Sequence, residues 1–269
     1  MERITFSIIV PSVRPDRLGR LLGSLKNKLT EGDEILVIVS SASAYENLTT
    51  VYTEARFLCC TKPGPACARN AAIRVARGSH LIFLDDDAIA SEKLLGTYRR
   101  AYQDHPEAMG IAGNIRHKET GGILGWYFAA QPFTWKHSSR LFVSCNFSVR
   151  NTGLTFDERF DFSCEDVAFS LNFRKKEIIF LKEAWVYHDI PEDLIAFCLK
   201  YFRYGLGRAR FARLYGGLPK VRKFQLPFTL QIYFRRFPLP EFLLLSALEL
   251  LKYLNYYSGY LYDLLKNRP

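Results

Sequence analysis

Apolar residues along the chain fall into short continuous runs separated by segments of helical spacing. Residues 4–10, ITFSIIV, are nearly all apolar and stop at Pro11, the pattern of a strand buried on both faces. Behind it, Leu18, Leu21, Leu22, Leu25 and Leu29 recur at helical intervals, with Asp16 placed to cap that helix. EILVIV (34–39) and RFLCC (56–60) read as the second and third buried strands. PGPACARNAAIRVARG then supplies a turn, a helix with proline near its start and a glycine at its end. HLIFL (80–84) is the fourth strand, and SEKLLGTYRRAY (91–102) the next helix. This alternation predicts an α/β fold with a doubly wound, largely parallel sheet.

The second half is less regular. LFVSCNFSVR (141–150) alternates as a half-buried strand does. An acidic loop within residues 156–176 feeds a helix carrying Phe169, Leu171 and Phe173, and EIIFLKEAWVYHD (177–189) reads as one or two short strands ending in His188. No internal repeat is visible. With 269 residues and 48% hydrophobic content, the chain can bury one sizeable domain plus an appendage.

Charge divides the chain more sharply than hydropathy does. The net charge is +10, from 37 Lys and Arg against 27 Asp and Glu. Residues 194–240 hold ten basic residues and no acid, so this window carries the entire excess. Such a window implies a polyanionic neighbour. The Leu- and aromatic-rich stretch that follows is interrupted by Glu241, Glu249 and Lys252, too soon for a spanning helix of about 20 residues. It predicts a helix lying at an anionic membrane surface, where each basic residue contributes on the order of 1 kcal/mol. Packing of the stretch as ordinary core, or against a second copy in a homo-oligomer, is the competing expectation. Nucleic acid is not expected as a partner, since no module for it is present. The six cysteines show no CxxC spacing and predict reduced thiols in a cytosolic setting without a zinc site. A strand beginning almost at Met1 predicts no signal peptide.

Three consecutive carboxylates, Asp85, Asp86 and Asp87, follow the fourth strand. Like charges so close repel unless a cation sits among them. Ligands of such sheets bind beyond the carboxyl ends of the strands, which is where these three lie. Glu165 and Asp166 form a second acidic pair, at a predicted helix start where acids also suit the dipole.

Taken in order, FSIIVPSVRPDRLGRLLGSL, GPACARNAAI, FLDDDA, FDERF with CEDVAFSLNFRKK, and VYHD resemble the family 2 glycosyltransferases, which have the GT-A fold. The resemblance runs over roughly residues 4 to 210, with RYGLGRAR similar to an Arg-rich segment that often follows the catalytic domain. It implies a GT-A catalytic domain over residues 1–190 and a basic, aromatic helical extension over 191–269. It further implies an inverting, hexosyl- or deoxyhexosyl-transferring enzyme. By this resemblance Asp87 coordinates Mn²⁺ or Mg²⁺ with His188 as a further ligand, Asp85 faces the nucleotide ribose, and Asp86 supports them. Asp166 is the implied base, oriented with Glu165, while Pro11, Ser12, Ser40, Arg69 and Asn70 line the donor nucleotide. Asn146 stands at a position that lines the site or satisfies backbone groups.

The chemistry agrees: hard oxygen ligands select such ions, which neutralise charge developing on a departing diphosphate. The chain departs from the family where acids usually follow the second strand, having Ser40 and Ser41, and where a tyrosine is common, having Val13. Serine hydroxyls still hydrogen-bond a base, so the expected donor is a UDP, dTDP or GDP sugar. The expected acceptor is a glycan, lipid-linked or part of a polysaccharide, met by a peripheral protein at the cytoplasmic face of the cell membrane. The alternatives are a metal-dependent nucleotidyltransferase, for which no lysine-bearing Gly-rich loop is present, and a catalytically degenerate membrane- or nucleic-acid-binding protein.

Overall fold

The structure, a computed structural model, describes residues 3–12, 15–118, 121–130, 141–216 and 226–267. The chain divides into two compact units. The first comprises Met1–Arg116, Arg140–Asp161 and Glu165–Asp189, and the second His117–Ser139, Phe162–Cys164 and Ile190–Pro269.

In the first unit the chain runs β1 (Phe6–Ser12), α1 (Pro15–Leu25), β2 (Glu34–Val39), α2 (Ala42–Val51), β3 (Arg56–Cys59), α3 (Pro65–Ile73), β4 (His80–Leu84), β5 (Ala88–Ala90), α4 (Leu94–Asp104) and β6 (Gly110–Arg116). The second unit contributes α5 (Gly122–Ala130), after which the first resumes with β7 (Asn146–Arg150), α6 (Glu165–Ser170) and β8 (Ile178–His188). Three helices complete the second unit: α7 (Leu194–Tyr215), α8 (Leu226–Arg236) and α9 (Leu239–Lys266).

Among the described residues, eight strands form one sheet in the order β3-β2-β1-β4-β7-β6-β8-β5. β3, β2, β1 and β4 are parallel, whereas β7 and β5 run against their neighbours. Alternate residues of the central strands feed two cores. Ile8 and Val10 of β1, Val37 of β2 and Ile82 of β4 pack with Leu18, Leu21 and Leu22 of α1. Ile9, Leu36, Leu81 and Phe83 face the other way, against Ala66, Ala72 and Ile73 of α3. Covering both faces explains why these strands are apolar throughout instead of alternating.

Several local expectations are corrected. α1 opens at Pro15 and ends before Leu29, while the Asp16 side chain expected to cap it lies outside what the structure describes. α2 was not legible: its sequence ASAYENLTTV buries only Leu48 and ends in a β-branched run, and Ser41 caps it by accepting from Ala44 N. β6, with the sequence GIAGNIR, shows no alternation, and α5 is apolar on every side. β7 is buried on both faces, between β4 and β6, and not half-buried. Its polar residues are satisfied internally. Tyr102 donates to Ser148 Oγ at 3.2 Å, and Tyr98 donates to Asn146 Oδ1 at 2.7 Å. Asn146 Nδ2 in turn donates to the carbonyls of Asn114 and Ala184, where β6 and β8 slip register. Asn146 therefore holds backbone at this irregularity. A Cβ on Gly113 would sit 2.3 Å from Asn146 Nδ2, so only glycine admits that amide.

Within the second unit, Tyr127 and Phe128 of α5, Phe197 of α7, Tyr233 of α8 and Leu245 and Leu248 of α9 form the core. α7 and α9 cross at glycines: a Cβ on Gly205 would lie 1.9 Å from Tyr256 O, and one on Gly259 would lie 2.0 Å from Phe202 O. Glu249 and Lys252, two of the charges that broke the apolar run, and Asp263 beyond them are turned inward. Glu249 accepts from Tyr127 Oη at 2.6 Å and pairs with Lys252, while Asp263 pairs with Arg213. No helix among the described residues is long and apolar enough to cross a membrane.

Candidate active site

The three acids sit where β4 ends. β1 is the neighbour of β4, so the carboxyl ends of the two strands coincide and Ser12 Oγ donates to Asp86 Oδ2 at 3.0 Å. That bond turns Asp86 inward, leaving it 8% exposed. Pairing of β5 with β8 sets Ala88 opposite His188 and so brings the imidazole to the acidic turn. His188 Nε2 lies 3.2 Å from Asp87 Oδ1 and 3.7 Å from Asp85 Oδ2. On the far side of Asp87, Arg17 Nη1 of α1 stands 3.7 Å from Oδ2. Arg17 also approaches Asp189, which pairs in addition with Arg20.

His188 Nδ1 is 2.8 Å from the carbonyl of Asp189, and a carbonyl only accepts, so Nδ1 carries the hydrogen. In the neutral ring Nε2 then presents a lone pair to carboxylate oxygens of Asp87 and Asp85. Acceptors facing acceptors require a cation between them, either a proton or a metal ion. Two donors about 2.1 Å from one octahedral ion and at right angles stand about 3 Å apart, close to the Asp87–His188 separation of 3.2 Å. The carboxylate oxygens suit a hard divalent ion such as Mn²⁺ or Mg²⁺, whereas an imidazole nitrogen is a more usual ligand of softer divalent ions. Cys145 adds a sulfur the sequence spacing did not reveal: its Sγ and single ligand atoms of Asp85 and His188 lie within 4.8 Å of one another.

Arg69 ties this cluster to the second acidic pair. Its guanidinium is buried on α3, with Nη2 donating to Asp85 Oδ1 at 3.0 Å and Nη1 to Glu165 Oε1 at 2.8 Å. The ring of Phe156 lies below it, 5.5 Å from the guanidinium carbon. Burial by itself would raise the pKa of Asp85, but His188 and Arg69 hold that carboxyl below the usual range.

Glu165 and Asp166 open α6, anchored in the second core by Phe169. Asp166 accepts from the backbone N–H of Ser144 at 2.9 Å and of Val167 at 2.7 Å. Burial, with the neighbouring Glu165 charge adding to it, pushes Asp166 up to about 7. Cys164, the residue before this pair, has φ 71, a left-handed conformation rare outside glycine.

The other expected donor residues are dispersed. Pro11 precedes Ser12 at the end of β1 and is partly exposed. Ser40 is exposed at the end of β2. Asn70 is buried, and its amide clamps the 156–158 loop: Oδ1 accepts from Phe156 N, and Nδ2 donates to Phe156 O and Glu158 Oε1. Arg69 and Asn70 both face the protein interior. Val13 lies outside the described residues. Arg17, Arg20, Asp189 and Cys145 were not anticipated. Only the i, i+3 spacing of the two arginines directly after the first strand hinted at a basic wall.

The description glycosyl transferase family 2 belongs to the family model that matches residues 7–159, more than half of the chain. No curated sequence shows significant similarity. Among solved structures, the mannosyltransferase PcManGT from Pyrobaculum calidifontis, in complex with GDP-Man and Mn²⁺, is similar at TM-score 0.59 and 14% identity, over 100% of this chain and 77% of that one. TarS 1-349 from S. aureus in complex with UDP is similar at TM-score 0.56 and 17% identity, over 98% of this chain and 92% of that one. The same TarS fragment with UDP-GlcNAc gives TM-score 0.55 at 16% identity, over 96% and 90% of the two chains. At such identities the likeness establishes the fold, which is GT-A. The ordered motifs, the fold and the matched span agree: this chain is a glycosyltransferase and belongs to glycosyl transferase family 2.

Proposed function

We propose that the enzyme is an inverting, metal-dependent glycosyltransferase that moves a sugar from a nucleoside diphosphate donor to a lipid-linked or polysaccharide glycan at the cytoplasmic membrane face. In this reading residues 1–190 carry the catalysis and 191–269 the membrane association. The observation carrying it is the Arg69 bridge between Asp85 and Glu165, which supports reading the Asp87–His188 pair and Asp166 beside them as two arms of one site. Similar folds hold UDP, UDP-GlcNAc and GDP-Man with Mn²⁺, which supports a nucleotide-sugar donor.

Each side chain then has a task. Asp87 and His188 hold Mn²⁺ or Mg²⁺, which when bound neutralises charge gathering on the departing diphosphate. Ser12 and Asp86 keep the turn rigid, and Arg69 fixes Asp85 toward the nucleotide and Glu165 beside the base. Asp166, with its pKa near neutrality, accepts the acceptor hydroxyl proton as that oxygen bonds to the anomeric carbon and the bond to the diphosphate breaks.

The test is thermal unfolding of the full chain against a panel of nucleoside diphosphates, with Mn²⁺ and then with EDTA. A ligand at 100 times its Kd stabilises by about 2.7 kcal/mol. One nucleotide should produce a metal-dependent rise, abolished by Asp87→Ala. Absence of any nucleotide-induced shift, or an Asp87→Ala protein that responds as the parent does, refutes the donor and metal assignments.

A further inference from the structure

The outward face of α9 is built contrary to the rule for a helix on a water-facing surface. Leu250, Leu254 and Leu261 are 52%, 65% and 55% exposed, and Leu243, Tyr257 and Leu265 are exposed beside them. Placed at 3.6 residues per turn, the exposed apolar positions span an arc of about 160°. Between Phe242 and Leu265 that arc carries only Leu, Tyr, Ala and Ser. The three charged residues of this stretch, Glu249, Lys252 and Asp263, lie on the opposite side and are paired within the unit. Gly205 and Gly259 lock the helix rotation, because either Cβ would collide with backbone of the facing helix. The apolar face is therefore held outward by packing.

Cations bracket this face. Exposed Arg235 and Arg236 precede it at the end of α8, and exposed Lys266 closes it. We propose that the outward face of α9 docks on an anionic lipid bilayer, lying in the plane of the interface with leucines in the acyl boundary and these cations among the headgroups. At about 1.5 Å per residue the 28 residues of α9 extend about 42 Å, and the exposed apolar positions run along most of that length, from Leu243 to Leu265. A second copy of the chain is the other occupant such a face suits. The arc is much wider than the two positions per heptad of a coiled-coil seam, and the charged flanks that choose a partner helix are missing. Both features favour lipid. This deepens the membrane-face reading above and does not depend on the chemistry assigned to the acidic cluster.

Flotation of the full chain with phosphatidylglycerol-containing and with pure phosphatidylcholine vesicles tests it. The parent protein should float with the anionic vesicles, and more weakly with the neutral ones. Leu250→Glu/Leu254→Glu should lower partitioning by about a hundredfold or more. Its thermal unfolding should match the parent, as both positions face solvent. Arg235→Glu/Arg236→Glu should remove the preference for anionic vesicles. A parent that does not float, or a leucine variant that floats as the parent does, overturns the proposal. Sedimentation without vesicles supplies the other arm: a parent dimer abolished by the leucine variant, with no flotation, gives the face to a second copy. Nucleotide-induced thermal shifts, recorded on the same variants, keep failure of the docking face distinct from failure of the donor site.

Discussion

Arg69→Met isolates the bridge on which the proposed site depends. The change keeps an apolar stem of similar length over Phe156 and deletes the guanidinium bonded at 3.0 Å to Asp85 and at 2.8 Å to Glu165. Glu165 is 4% exposed, so its charge is left without compensation in a poorly solvated position. Removing one partner from a buried pair costs about 3–5 kcal/mol, most of it the penalty on the orphaned carboxylate. At about 2–4 °C per kcal/mol the melting temperature should fall by roughly 6–20 °C. Arg69→Met/Glu165→Gln removes the orphaned charge as well and should recover about 1–3 kcal/mol relative to additivity. The assay is urea denaturation of parent, both single variants and the double variant at neutral pH, followed by circular dichroism. Because the Arg69 charge also lowers the pKa of Asp166, its loss should move any activity midpoint of that group upward from about 7. A single variant that loses less than about 1 kcal/mol, or a double variant no more stable than additivity predicts, refutes the bridge as an energetic link.

Other outcomes follow from the same geometry. Since Asp166 is basic only when deprotonated, turnover should rise with pH through a midpoint near 7, and Asp166→Asn should abolish transfer while leaving nucleotide-induced stabilisation intact. His80 is buried against Tyr102; burial, with Arg150 adding to it, lowers its pKa from 6.5 to about 4. A depressed histidine stabilises fully above its unfolded value, so stability should fall by about 2–3 kcal/mol between pH 6.5 and 4. His80→Gln should flatten that dependence in urea titrations. Gly205→Ala places a Cβ 1.9 Å from a backbone carbonyl that cannot yield cheaply. Thermal unfolding should show a loss of about 1–3 kcal/mol or more, whereas Gly23→Ala, with nothing within 4 Å, should show no loss from crowding.

The first helix was legible because its apolar residues recur at helical spacing, and the central strands because their apolar runs are continuous. β1, β2 and β4 are apolar without alternation, since helices cover both sheet faces. The acidic turn was legible as well, because three carboxylates at a strand end are costly without a cation. α2, β6 and α5 escaped for physical reasons. A helix burying one leucine, a glycine-rich strand and a helix apolar all round carry no period to read. Asn146 was ambiguous for a different reason. Its partners at Asn114 and Ala184 are distant in sequence and meet it only where two strands slip register.

Sequence alone thus determined the α/β class, the position of the acidic turn and the basic segment, because propensity, period and charge are local properties. Tertiary structure alone decided which groups meet. Strand order sets Ser12 beside Asp86, antiparallel pairing carries His188 to Asp87, and burial draws Arg69 between Asp85 and Glu165. It also decided which way α9 faces. Composition shows leucines interrupted by charges, and only close helix packing at Gly205 and Gly259 settles that the charges go in and the leucines out.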